Sequence, residues 1–118
     1  MQRIESQAGK ESVWDYPRPP RLERTNKHLK VVFNGEIIAE TTRAFRVLET
    51  SHPPVYYFSP EDVRTEFLTV SANSSFCEWK GRANYYDLRV GEKNVKHAAW
   101  FYPNPTETFA EIENFIAF

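Results

Sequence analysis

Apolar and polar positions alternate along most of the chain from Leu29 onward, and a period of two marks strands with one face against a core. Leu29-Lys30-Val31-Val32-Phe33 and Glu36-Ile37-Ile38-Ala39-Glu40 flank Asn34-Gly35, a pair that predicts a tight hairpin. Ala44 to Glu49 sets Phe45 and Val47 against Arg46 and Leu48 and predicts a third strand. A short fourth strand, Val55 to Phe58, follows the double proline. Ser59-Pro60-Glu61-Asp62 opens a brief helix: a capping hydroxyl, proline at the first helical position, then acids in the first turn. Strand chemistry resumes over Thr65 to Val70, with a turn at Ser71-Ala72-Asn73-Ser74. Further strands are predicted over Ser75 to Trp79, Ala83 to Val90 and Val95 to Tyr102, with Gly91-Glu92-Lys93-Asn94 turning between the last two. Thr106 caps a short helix, and Phe115 to Phe118 returns as a strand. The pattern predicts a mainly β domain, α+β at most: a small antiparallel sheet or barrel-like fold with one or two short helices.

The amino-terminal quarter reads differently. Residues 1–12 are polar and aperiodic, which predicts a mobile segment. Residues 13–28 form a proline-rich arm, because Pro17, Pro19 and Pro20 fix an extended backbone that cannot enter a central strand. Trp14 and Tyr16 are expected to pack on the domain surface, or to serve a proline-recognising partner. A single β-rich domain then occupies 29–118. Aromatic residues make up 15% of the chain, an excess that itself favours sheet over helix.

Charge narrows the function classes. The formal net charge is −1, with no long block of one sign, so nucleic acid is not an expected partner. One cysteine allows no internal disulfide, and no apolar run reaches membrane-spanning length. Met1 to Glu5 carries no signal-peptide stretch, and cytoplasmic residence is the expectation. No Gly-rich phosphate loop lies between a strand and a helix, which disfavours dinucleotide and P-loop sites.

Two segments concentrate the remaining chemistry: Ser51-His52-Pro53-Pro54-Val55-Tyr56-Tyr57 and Phe76-Cys77-Glu78-Trp79-Lys80-Gly81. His52, stiffened by two prolines, suits proton transfer near neutrality; its structural alternative is a loop histidine closing a turn. Cys77 is a nucleophile candidate if Lys80 or His52 favours its thiolate, and otherwise a small buried hydrophobe. Glu78 is a candidate base, Lys80 an anchor for a carboxylate or phosphate, with Arg82, Arg43 and Arg46 available to extend an anion site. Tyr56, Trp79, Tyr86 and Trp100 are candidate walls. A straight strand through Gly81 would carry Glu78 and Lys80 inward with Leu88 and Val90. A bulge at Gly81 would exchange the faces, burying Cys77 and Trp79 and leaving Glu78 and Lys80 solvated; the glycine favours that second arrangement. Spacings of His28, His52, His97 and Cys77 match no metal motif, so no metal site is expected.

Glu11-Ser12-Val13-Trp14-Asp15-Tyr16-Pro17-Arg18-Pro19-Pro20-Arg21, Val47 to Tyr57, Cys77-Glu78-Trp79-Lys80-Gly81 and Ala99-Trp100-Phe101-Tyr102-Pro103 together resemble a widespread bacterial, cyanobacterial and fungal family of unknown function, labelled nucleotidyltransferase-like. The resemblance covers nearly the whole chain from Glu11 and implies a mostly β domain with motif positions at His52, Pro53, Tyr56, Cys77, Trp79, Lys80, Gly81, Tyr86, Trp100 and Tyr102. It carries no catalytic assignment. The label implies a nucleotide and a divalent metal, whereas the chain lacks the Gly-Ser and paired-Asp pattern of such enzymes. The sequence thus points to a site for a small anionic or polar molecule, catalytic or not, with cofactor and oligomeric state unspecified. A non-catalytic interaction domain and nucleotidyl transfer are the alternatives.

Overall fold

The computed structural model describes residues 20–49, 52–77 and 79–118, so the mobile segment, the arm up to Pro19, Ser51 and Glu78 lie outside the described residues. Nine strands form among the described residues: β1 (Arg21–Arg24), β2 (Leu29–Phe33), β3 (Glu36–Thr41), β4 (Phe45–Leu48), β5 (Val55–Phe58), β6 (Leu68–Cys77), β7 (Gly81–Val90), β8 (Lys93–Phe101) and β9 (Ile116–Ala117). Seven of them make one antiparallel sheet in the order β1-β4-β5-β9-β8-β7-β6, and β2 and β3 pair separately. The sheet is mainly β as expected, and it is open rather than a closed barrel, with β1 and β6 as its edges.

Alternation along the strands sorts side chains onto two faces. On one, Phe45, Val47, Tyr57, Ala83, Tyr102 and Ala117 pack with Phe109 and Ile112 of a short 3-10 segment, Glu107–Ile112. Their chain neighbours Phe58 and Ile116 point the other way and join Ala99, Ala39 and Val63, while Leu88 and Val90 pack on Ile38. The β2–β3 hairpin therefore roofs one face and the 3-10 segment floors the other.

Asn34-Gly35 makes the hairpin turn the sequence predicts. Both residues have positive φ, 49° and 79°, as a type I′ turn requires. The Asn34 amide also donates to the Val90 carbonyl at 3.0 Å, pinning the hairpin tip to the turn between β7 and β8.

Several local expectations differ from the structure, each for a physical reason. Ser71-Ala72-Asn73 is no turn. It is a bulge inside β6, where the pairing with β7 shifts register between Val70 and Ser74. Small residues allow the bulge, and β7, which pairs with β6 on both sides of it, holds both halves in the sheet. Thr65–Phe67 winds as a 3-10 turn before β6 begins at Leu68. The chain reverses after Cys77, which pairs with Gly81, so the predicted strand to Trp79 ends two residues early. Arg21–Arg24, read with the arm, hydrogen-bonds to β4 as the edge strand β1.

β9 is only two residues long, yet it bridges β5 and β8: Tyr57 and Trp100 both pair with Ala117. Ala117 is fully buried between two large aromatic side chains. Ala117→Leu is expected to destabilise the domain by about 1–3 kcal/mol through overpacking, measured as a lower urea midpoint with unchanged m-value.

Candidate functional site

A continuous row of paired residues crosses the floored face: Phe45, Tyr57, Ala117, Trp100 and Tyr85. The small Ala117 leaves room above it, and across that gap Trp100 Nε1 donates to the Tyr57 hydroxyl at 3.3 Å. The same face holds a cleft of about 390 Å³ whose walls include Tyr57, Tyr85, Trp100 and Tyr102, with Lys80, Ser75 and His97 as its polar groups. A broader hollow of about 640 Å³ lies between Arg24, Lys27, Arg43 and Arg46. Its arginines are already engaged: Arg43 with Glu61 and Asp62, Arg46 with Glu23, and Arg24 over the Phe45 ring. The aromatic cleft is the better candidate, because apolar walls with a few converging polar groups make a ligand site.

Lys80 is its distinctive member. Among the described residues it is the one buried charged side chain, 8% exposed. Its Nζ lies 5.9 Å from the Tyr102 ring and 5.7 Å from the Phe109 ring, within cation–π range. The Glu49 carboxylate stands 3.9 Å away. At that distance the pair is electrostatic rather than hydrogen-bonded, so Glu49 does not occupy the ammonium's donors.

The backbone explains how a lysine comes to be buried at a hairpin tip. Gly81 adopts φ +102°, a conformation that favours glycine, and a Cβ there would meet the Asn104 carbonyl at 3.3 Å. The 103–106 loop closes over the turn. Thr106 N–H donates to the Lys80 carbonyl at 3.0 Å, and its hydroxyl donates to the Trp79 carbonyl at 2.6 Å. That hydroxyl therefore does not cap the 3-10 segment, the role the sequence suggested for it.

The phenols of Tyr57 and Tyr102 are held neutral. Burial pushes Tyr57 up to about 12, an effect eased by its hydrogen bonds with Trp100 and Tyr102. Tyr102 is pushed higher still, first by burial and then by Tyr57 and Cys77 nearby. Both act as hydrogen-bonding hydroxyls, not as bases, at any physiological pH.

His97 enters the cleft through a second irregularity. Two residues more lie on β8 than on β7 between the Tyr86–Ala99 and Leu88–Val95 pairs, and His97 takes a positive φ of 54° there. Asp87 accepts its backbone N–H at 3.0 Å. The ring lies beside Tyr85, with centroids 5.2 Å apart. Asn73 Nδ2, which can only donate, meets Nε2 at 2.9 Å, and Ser71 Oγ lies 3.2 Å from the same atom. Nε2 therefore accepts, which puts the proton of the neutral ring on Nδ1. The bulges of β6 and β8 thus face each other and orient one imidazole.

The residues singled out by sequence separate into groups. Lys80 and Trp100 line the cleft together. His52 is exposed, and its Nδ1 lies 3.6 Å from the Glu49 carboxylate whose other oxygen faces Lys80. One carboxylate thus stands between the imidazole and the ammonium. Cys77 packs half-buried against the cluster of Phe45, Val47 and Tyr57. Trp79 is exposed at the turn, reversing the expectation that Trp79 would be buried and Lys80 solvated. The reason is the reversal after Cys77, which ends the strand alternation on which that expectation rested. Arg82 extends to Ser74 Oγ at 3.1 Å. Tyr56 and Tyr86 pack on the opposite, hairpin-roofed face, where Tyr86 stacks on Phe101. Glu78 lies outside the described residues. Tyr57, Ser75, Tyr85 and His97 were not singled out as site residues, because paired bulges and a shared alanine leave no signature in strand alternation.

The family model of a domain of unknown function (DUF427), which carries the label NTP_transf_9, matches residues 21–118, and the chain belongs to that family. No curated protein matches the chain. No helix among the described residues is long and apolar enough to cross a membrane. The label's implied metal finds no fit among the described residues, where no three of His, Cys, Asp and Glu gather as ligands. Asp62 is already held below the usual carboxylate range by its hydrogen bonds to Arg43 and Thr41.

Two outcomes follow from the turn and the phenols. Gly81→Ala is expected to cost about 1–3 kcal/mol, from left-handed strain and the Asn104 contact together, seen as a lowered melting temperature. Tyr57, with its folded value raised above the ordinary 10, stabilises the fold fully below about pH 10 and loses that contribution as pH rises toward 12. Denaturant midpoints should therefore fall across that window, and less steeply in Tyr57→Phe.

Proposed function

We propose that this member of the DUF427 family binds a small molecule carrying a planar ring and an anionic group in the Lys80 cleft. The observation that carries the reading is the burial of Lys80 at the wall of an aromatic hollow, paired to Glu49 only at 3.9 Å. Burying an ammonium group is unfavourable unless it is well paired, and replacing such a group by an apolar side chain of similar size is often neutral or stabilising. A lysine kept there fits a role in recognition better than a role in stability.

The chemistry of the walls supports the ligand class. Tyr57 and Tyr102 offer neutral hydroxyls, Trp100 and Tyr85 offer ring faces, and Lys80 offers a positive charge in a poorly hydrated setting where charge pairing is strong. A carboxylate or phosphate on the ligand would take the ammonium donors that Glu49 leaves unused. Glu49 is only partly buried and can turn toward His52 and water as the ligand enters. If turnover accompanies binding, His97 is the imidazole on the cleft wall, whereas His52 reaches the cleft only through Glu49.

Thermal shift with a panel of benzoate, phenyl phosphate and adenosine monophosphate tests the reading. At least one probe should raise the melting temperature of the native chain, equivalent to about 2.7 kcal/mol at a hundredfold excess over its Kd. Lys80→Met should abolish the shift while its circular dichroism spectrum and unliganded melting remain near native. His52→Ala should weaken the shift without removing it. Equal stabilisation of the native chain and Lys80→Met by the same probe would refute the assignment.

A further inference from the structure

We propose that the opposite face of the sheet carries a second, separate small-ligand site that takes a short amphipathic carboxylate. β9 pairs with β5 and with β8 through Ile116 and Ala117, and Phe118 follows it. There a cleft of about 250 Å³ is enclosed by Leu29 and Val31 of the roofing hairpin, Tyr56 and Phe58 of β5, Trp100 of β8, and Phe118. Phe118 also closes edge-on against Phe58, with centroids 5.7 Å apart.

The lining is mostly apolar, with Lys30 as its charged member. Lys30 lines the cleft, and Lys27 Nζ sits 5.8 Å from the Tyr56 ring that forms one wall. Glu40, the acid opposite Lys30 in the hairpin, is paired instead with His28 Nε2 at 2.6 Å. One lysine therefore lines a largely apolar hole and a second stands against its Tyr56 wall, a distribution complementary to a molecule with an apolar body and one negative end. The volume lies below the roughly 300–1,000 Å³ of sites for drug-sized ligands, which limits the body to a short chain or a single ring. Trp100 and Val55 line both this cleft and the Lys80 cleft, so the two sites share a wall while their cations differ. The second site does not depend on the first.

Octanoate and octan-1-ol, titrated into the full chain and followed by tryptophan fluorescence and thermal shift, test this site. Octanoate should bind at least tenfold more tightly than octan-1-ol. Leu29→Trp, which fills the hole, should abolish octanoate binding. The exposed double change Lys27→Gln, Lys30→Gln should weaken octanoate about tenfold while leaving octan-1-ol unchanged, and it keeps the test decisive should Leu29→Trp fail to fold. Lys80→Met should bind octanoate as the native chain does, so that failure here and failure of the Lys80 site are told apart. No binding of octanoate, equal binding of the alcohol, an unaffected double variant or loss of octanoate in Lys80→Met would each overturn the proposal.

Discussion

The fold places an ammonium group at the edge of its own hydrophobic core, and much of the local architecture answers that constraint. A lysine at a hairpin tip would ordinarily extend into water. Lys80 is turned inward because Gly81 takes a backbone conformation closed to most residues and the 103–106 loop fastens the turn from above through Thr106. Once inside, the charge meets two aromatic faces and a carboxylate that is near but not bonded. Each of these is weaker than a hydrogen-bonded ion pair, so the arrangement leaves the ammonium able to interact further.

The elements legible in the sequence were those fixed by local chemistry. Asn34-Gly35 requires positive φ at both positions and delivers the hairpin, and alternation through Phe45, Val47, Tyr57 and Phe58 delivers strands with two packed faces. Illegible were the features that depend on a partner strand. Ser71-Ala72-Asn73 has turn composition, yet β7 pairs with β6 on both sides of it and holds it in the sheet as a bulge. Trp79 and Lys80 exchange inside and outside because the chain reverses after Cys77, and no periodicity argument survives a reversal. The motif-rich segments were read as one surface, and the structure divides them between two. Tyr56 and Tyr57 are adjacent in sequence and therefore sit on opposite sides of the sheet.

The bulges matter beyond local geometry. Without the extra residues on β8, His97 would share a face with Ala99 and Phe101 and would point toward the roofing hairpin. The irregularity turns it to Tyr85 and the Lys80 cleft, while the facing bulge in β6 supplies Asn73 and Ser71 to its ring. A positive φ on a residue other than glycine is unfavourable on its own, and such strain concentrates where a side chain must be aimed. Here the Asp87 contact to the His97 backbone N–H offsets part of it.

The kinds of group gathered in the Lys80 cleft constrain its chemistry more firmly than its shape does. A site built for proton abstraction needs a base whose affinity for protons is tuned toward neutrality. The buried phenols have moved the other way, away from ionisation, and are fit to donate or accept hydrogen bonds to a charge carried by something else. Lys80 supplies the complement to that charge, and the ring faces of Trp100 and Tyr85 supply a non-polar surface that excludes water around it. Glu49 and His52 do not line the hollow: the Glu49 carboxylate stands 3.9 Å from the lysine ammonium, and His52 reaches the hollow only through it. On the proposed reading, a cleft so composed would take an anion on an aromatic frame, with His97 as the imidazole on its wall.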